Sequence, residues 1–177
     1  MGKNVTILLL FLGVTAGALQ SPVEPPDPGM RTLVQVAIVS RNAEATAKQW
    51  AAVLGVPVPR ITLTRPGREV KVVYRGRPSD GQAKIAFFRV GQVALEVIEP
   101  AGPDTSWREF LDKHGEGVQH IAFQVTDLEG SLRRLEKLGM PAAHRGRYDA
   151  DNGDYVYLDS QGALGVTLEL LHSDPKP

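Results

Sequence analysis

The chain has 177 residues, with 20 Lys and Arg against 20 Asp and Glu, so its formal net charge is zero. That balance leaves no basic footprint for nucleic acid, and no nucleic-acid partner is expected. The absence of cysteine excludes disulfides, thiolate metal ligands, a cysteine nucleophile and a lipidated amino-terminal cysteine.

The first segment, "MGKNVTILLLFLGVTAGALQ", combines one lysine, an apolar run over 5–14 and small residues with Ala16 and Ala18 in an A-x-A arrangement. It predicts a secretory signal over 1–18 and an extracytoplasmic protein, periplasmic or secreted. The run is short for the roughly 20 apolar residues of a membrane span, so no stable span is expected after cleavage. "QSPVEPPDPGM" follows, and its prolines suit neither a helix nor a central strand. It predicts a linker over 19–30, one folded unit over 31–172 and a tail over 173–177.

The folded unit contains a repeat. "VQVAIVSRNAEATAKQWAAVLGVPV", from Val34, runs parallel to "QHIAFQVTDLEGSLRRLEKLGMPA", from Gln119. Each is an alternating apolar run, a polar break, a helical segment, then Gly, one apolar residue and Pro. In the first helix Ala47, Trp50, Ala51 and Leu54 recur at helical spacing, with Asn42 as N-cap and Gly55 as terminator. In the second, Leu128, Leu132, Leu135 and Leu138 form one stripe, capped by Asp127 or by a Thr126–Glu129 capping box. "VALEVIEP" closes the first copy and "GVTLELLHS" the second. Further strand candidates lie inside each copy: "RITLT" and "KIAFFRV", then "AAHRGR" and "DYVYLD". The fold class is therefore α+β: two βαβββ modules, 31–103 and 115–172, whose curled mixed sheets enclose a cleft. Gln35 and Glu96 are about twelve positions further apart than His120 and Glu169, an excess assigned to a mobile or extended arginine-rich hairpin in "TRPGREVKVVYRGRPSDGQA". "SWREFLDKHGEG" predicts a short helix and turn between the copies.

Side chains alternate across a strand. Val36, Ile38, Ile121, Phe123 and Val125 take the helix side, which leaves Gln35, Ala37, His120 and Ala122 on the other. On the closing strands Glu96 and Glu169 interrupt apolar neighbours at matching positions. If the sheet curls, Gln35, Glu96, His120 and Glu169 converge. Two buried carboxylates repel and are costly to desolvate, and a divalent cation removes both penalties. Three oxygen donors and one imidazole suit Zn, Ni, Co or Mn, with positions left for water or substrate.

These residues carry a resemblance. The paired plan, "HIAFQVTDLEGSLRRLEKLG" and the terminal "GVTLELL" resemble the vicinal oxygen chelate superfamily of glyoxalases, bleomycin-resistance proteins and dioxygenases. The segment "VALEVIEPAGPDTSWREFLDKHGEGVQHIAFQV" is similar to methylmalonyl-CoA epimerases. The resemblance implies metal ligands at Gln35, Glu96, His120 and Glu169. Glutamine at 35 and at 119 departs from the epimerase pattern, which has histidine at both; glutamine at 35 resembles zinc-dependent glyoxalase I. Epimerase and glyoxalase share removal of a proton beside a carbonyl, giving an enediolate. The resemblance thus implies an isomerase or lyase acting on a small-molecule substrate. Glu169 or Glu96 would be the base, and Asp80 stands where epimerases carry a catalytic glutamate, in an "SDG" turn. The superfamily pairs such modules within or between chains, which leaves room for a homodimer. The alternative function is metal-free binding of a small molecule, as in bleomycin-resistance proteins; a secreted interaction module using the arginine-rich hairpin is a third. Of the remaining polar residues, His144, Arg145 and Arg147 could face the cleft, whereas His114 and His172 lie in the joining helix and near the tail.

Overall fold

The computed structural model describes residues 29–175. The expected signal and the expected linker, apart from Gly29 and Met30, lie outside them. In chain order the first half comprises β1 (Thr32–Val39), α1 (Ala43–Leu54), β2 (Thr62–Leu63), a short hairpin of β3 (Val73–Tyr74) and β4 (Arg77–Pro78), β5 (Gln82–Val90) and β6 (Val93–Ala101). Then come α2 (Ser106–His114), β7 (Gly117–Gln124), α3 (Leu128–Lys137), β8 (Ala142–Arg147), β9 (Gly153–Leu158), α4 (Gln161–Leu164) and β10 (Thr167–Ser173). Among the described residues no helix is long and apolar enough to cross a membrane.

All ten strands join one curled mixed sheet in the order β2-β5-β6-β1-β7-β10-β9-β8-β3-β4, an α+β fold. Its seam is the antiparallel pair β1–β7; on either side the closing strands β6 and β10 run parallel to β1 and β7. The first and last strands of each repeat copy are therefore the four central strands of the sheet.

Local chemistry explains the helices. Asn42 Oδ1 accepts from Ala45 N at 2.8 Å, and Gly55 ends α1 at φ 66°, a left-handed conformation that glycine adopts without a Cβ clash. Ala43, Ala47 and Ala51 are buried against Ala86, Phe88 and Val97. At α3 the cap is Asp127, whose Oδ1 accepts from Gly130 N at 2.9 Å. Leu128 and Leu135 enter a core with Val125, Val156, Leu158, Leu168 and Leu170, and Leu132 packs against it. Leu138 does not continue the stripe: it is 70% exposed. The helix stops at Lys137, and Gly139, at φ 80°, turns the chain so that Met140 enters the core instead.

A third apolar cluster lies on the opposite face of the sheet, where α2 brings Trp107 and Leu111 against Ala37, Val39, Ala83 and Ile98. The helix that joins the copies thus plugs one end of the cleft. Thr105 caps it, Oγ1 accepting from Arg108 N at 3.1 Å.

The arginine-rich insertion is an anchored hairpin. It leaves β2 at one edge of the sheet, adds β3 and β4 beyond β8 at the other, and returns to β5. Val73 and Tyr74 pair with Arg145 and His144. Arg147 N donates to Val70 O at 2.8 Å, Arg75 N to Ala143 O at 2.7 Å, and Arg65 N to Asp149 Oδ2 at 3.0 Å. These bonds satisfy an edge strand that would otherwise be open, and they draw the two ends of the sheet together across the cleft.

The end of α3 can be tested by denaturant unfolding. Leu135→Ala should cost about 2–5 kcal/mol, and Leu138→Ala should stay within about 0.5 kcal/mol of the parent. Equal losses at the two positions would contradict the observed helix end.

Candidate metal centre

Strand register brings the four singled-out residues together. Ala37 is the lateral neighbour of Glu96 on β6 and of His120 on β7, and Ala122 is the neighbour of Gln35 on β1 and Glu169 on β10. The result is two adjacent rows across the seam, each holding two polar side chains beside one alanine. Ala37 and Ala122 have no exposed surface. Their methyl groups leave space above the sheet that a larger residue would fill.

Gln35 Nε2 lies 2.7 Å from Glu96 Oε2, 3.0 Å from His120 Nε2 and 3.3 Å from Glu169 Oε2. His120 Nε2 is 3.5 Å from Glu96 Oε2 and 3.2 Å from Glu169 Oε2. All four residues are buried. Ligands about 2.1 Å from one ion and at right angles to each other sit roughly 3 Å apart. The contacts that Gln35 and His120 make with the two carboxylates are near that spacing, and the set of two carboxylates, one imidazole and one amide suits a divalent ion. Gln35 turns its nitrogen toward the carboxylates, donating to both; half a turn of the amide would present its oxygen instead.

The charges in the cluster depend on one another. Burial pushes the Glu96 carboxyl up, against the pull of His120. Burial alone would push the His120 imidazole down, but the Glu169 and Glu96 carboxylates together outweigh it and raise its pKa to about 9. Tyr157 is directly across from Glu169 on β9, and its ring meets that of His120 edge-on. Burial, then the charges of Glu169 and Glu96, hold that phenol well above its ordinary range, so it remains a neutral donor.

Strict alternation would put Gln119 on the helix side of β7, and there the structure differs. Ala37 pairs with His120 but Ile38 pairs with Val118, so Gln119 is the extra residue of a β-bulge. The bulge lets Gln119 and His120 reach each other. Gln119 Oε1 accepts from His120 Nδ1 at 2.7 Å, and Gln119 Nε2 donates to Thr167 Oγ1 at 3.3 Å. With Nδ1 carrying a proton toward an acceptor, Nε2 is the nitrogen that faces the cluster, the arrangement a metal-ligating histidine requires. A bulge leaves no periodic trace, so Gln119 stood out only by its departure from the epimerase pattern.

A cavity of about 260 Å³ opens above Gln35, Glu96 and Glu169. Tyr155 and Tyr157 line it; they lie two apart on one face of β9, a spacing visible in "DYVYLD". Asp80 is not part of this constellation. It is exposed and paired with Arg68, because the turn before β5 points outward. His144 does not line the cavity either. It is buried, with Nδ1 2.9 Å from Ser106 Oγ and its ring stacked on Tyr157, and burial pushes its pKa down to about 3. Arg145 is half exposed, 3.9 Å from Glu129, and the His114 ring packs on Phe110. Asp154, His172 and Asp174 bring potential donors within 4.8 Å of one another, but the Arg147 guanidinium already spans the two carboxylates, at 3.1 Å from each.

Comparison with known proteins places the fold. The uncharacterised protein YqjC of Bacillus subtilis (strain 168) is 33% identical over 90 residues, which cover 50% of this chain and 64% of that protein. Methylmalonyl-CoA epimerase from Mycobacterium tuberculosis has a similar structure, with a TM-score of 0.59 at 19% identity, covering 83% of this chain and 91% of that one. A Streptomyces coelicolor methylmalonyl-CoA epimerase variant in complex with 2-nitronate-propionyl-CoA gives 0.57 at 21% identity, covering 81% and 97%. At such identities the structural likeness shows a shared fold. The family model matches residues 34–158, from within β1 through β9, and with it the chain belongs to the glyoxalase/bleomycin resistance protein/dioxygenase superfamily.

Proposed function

We propose that this protein is a metal-dependent enzyme that moves a proton on the carbon next to a carbonyl, as an epimerase-type isomerase or a glyoxalase-type lyase. The observation that carries this reading is the convergence of Gln35, Glu96, His120 and Glu169 beneath one cavity, with Gln35 and His120 each within 3.5 Å of both carboxylates. The methylmalonyl-CoA epimerase neighbours support the reaction class, and the superfamily supports a divalent ion. Such an ion, of the Zn, Ni, Co or Mn type, would act as a Lewis acid on the substrate oxygen.

The chain's own residues supply the remainder. Of the three carboxylates lining the cavity, Glu96 and Glu169 are the two buried beside His120, so they are the groups placed to take up a proton from carbon and return it. The raised proton affinity of Glu96 suits a carrier that holds the proton between steps. Gln119 orients His120. Asp80, exposed and tied to Arg68, lies away from these groups.

One observation favours a second reading. Gln35 donates to both carboxylates, so the cluster is hydrogen-bonded without an ion, and a metal-free protein could use the same cavity simply to bind a small molecule. Elemental analysis and calorimetric titration with Mn, Co, Ni and Zn separate the two. One ion per chain is expected; His120→Ala should lose it while its circular dichroism stays that of the parent. Failure to take up any of the four ions would sink the enzyme reading.

Because His120 holds its proton up to about pH 9, metal uptake must displace that proton. Apparent affinity should weaken by roughly tenfold for each unit the pH falls below that value. Competition with a chelator between pH 7 and 9 reads the slope, and a flat profile would contradict a protonated His120. Gln119→Leu should weaken binding by about 10–100-fold, with a shift in the imidazole nitrogen resonances that a purely structural role would not produce.

A further inference from the structure

We infer that the cavity above the metal centre selects a small compound with an aromatic or apolar body, one that carries no charge away from the oxygens it presents to the cluster. This rests on the proposed function and adds the substrate class. Gln35, Glu96 and Glu169 form the floor of the cavity, and Thr64, Arg65, Arg147, Tyr148 and Asp149 make one further polar part of the lining. Its walls are Val70 and Val72 from the insertion, Ile85 and Phe87 from β5, Trp107 from α2, and Tyr155 from β9. Val70 and Val72 are almost wholly buried although they belong to a connecting segment, so the insertion roofs the cavity with apolar side chains. Phe87 is 45% exposed, which leaves an apolar surface at the rim.

The cations of the wall are already committed. Arg147 is held by Asp151, Asp154 and Asp174 together, three carboxylates around one guanidinium. Arg65 pairs with Glu69 at 3.2 Å and donates to the Asp149 backbone oxygen. An incoming phosphate or remote carboxylate would meet surplus negative charge and lose its hydration without a partner. Size sets the other limit. A cavity of about 150 Å³ accommodates benzene, so the volume here suits one ring with a short oxygenated side chain.

The test uses the full chain loaded with metal and three hydroxamate probes: benzohydroxamate, ringless acetohydroxamate, and 4-carboxybenzohydroxamate with a charge at its far end. Benzohydroxamate should bind at least about tenfold tighter than either of the others, from apolar burial in one comparison and avoided charge burial in the other. The double variant Asp154→Asn/Asp174→Asn, which releases Arg147, should narrow the gap to the carboxylated probe. Equal or tighter binding of the carboxylated probe by the parent, or no gain from the ring, overturns the inference. Metal titration reads the proposed function separately. Should the chain take up no metal, ligand-observed NMR on the metal-free protein still decides the wall chemistry: acetophenone should bind in preference to 4-acetylbenzoate, and the reverse order overturns the inference.

Discussion

The structure is organised around two carboxylates buried within reach of one imidazole. Glu96 and Glu169 reach this place from equivalent closing strands, and both are removed from water. Leaving either unpaired there would cost several kcal/mol. What offsets the penalty comes from the two seam strands: the Gln35 amide from β1 and His120 from β7. A sheet whose seam slipped by one residue would turn these groups to the helix side and bury them against leucines. Pairing at the seam and satisfaction of the cluster therefore select the same register.

The insertion acts on the same cluster from above. A sheet with two free ends would leave the carboxylates at the bottom of an open trough, where water screens and hydrates them. By pairing with β8 and bonding to Arg147, the insertion spans the trough and supplies apolar cover. Gly81, where the chain returns to β5, passes so near Thr105 that an added Cβ would lie 2.1 Å from its Cγ2. The close approach fastens the returning strand to the cap of α2, so the insertion and the plug helix meet at one point.

How far this could be read from the sequence depends on whether a residue obeyed a period. Ala47 and Ala51, Leu128 and Leu135, and the flanks of Glu96 and Glu169 all follow helical or strand spacing, and the structure places them accordingly. The repeat then puts Gln35 opposite His120, so the candidate site was legible before any coordinates. Leu138 also obeys the helical period, but the left-handed turn at Gly139 overrides it. The bulge at Gln119 and the pairing of β3 with β8 depend on long-range partners, which local patterns do not carry. Asp80 occupies a suggestive position by resemblance, yet the turn it belongs to faces solvent and Arg68.

The two repeat copies are alike in their carboxylates and unlike in the partner each strand offers them, and that difference gives the cluster its chemistry. With an amide at both first-strand positions the two carboxylates would share only neutral donors, and little would hold a proton near them. With an imidazole at both, two cationic groups would compete for the same space. The pairing of Gln35 with His120 leaves one titratable nitrogen, closer to Glu169 at 3.2 Å than to Glu96 at 3.5 Å. At Glu96 burial outweighs the pull of that imidazole and pushes the carboxyl up. A symmetric scaffold with one asymmetric donor thus sets a single imidazole unevenly between two like carboxylates.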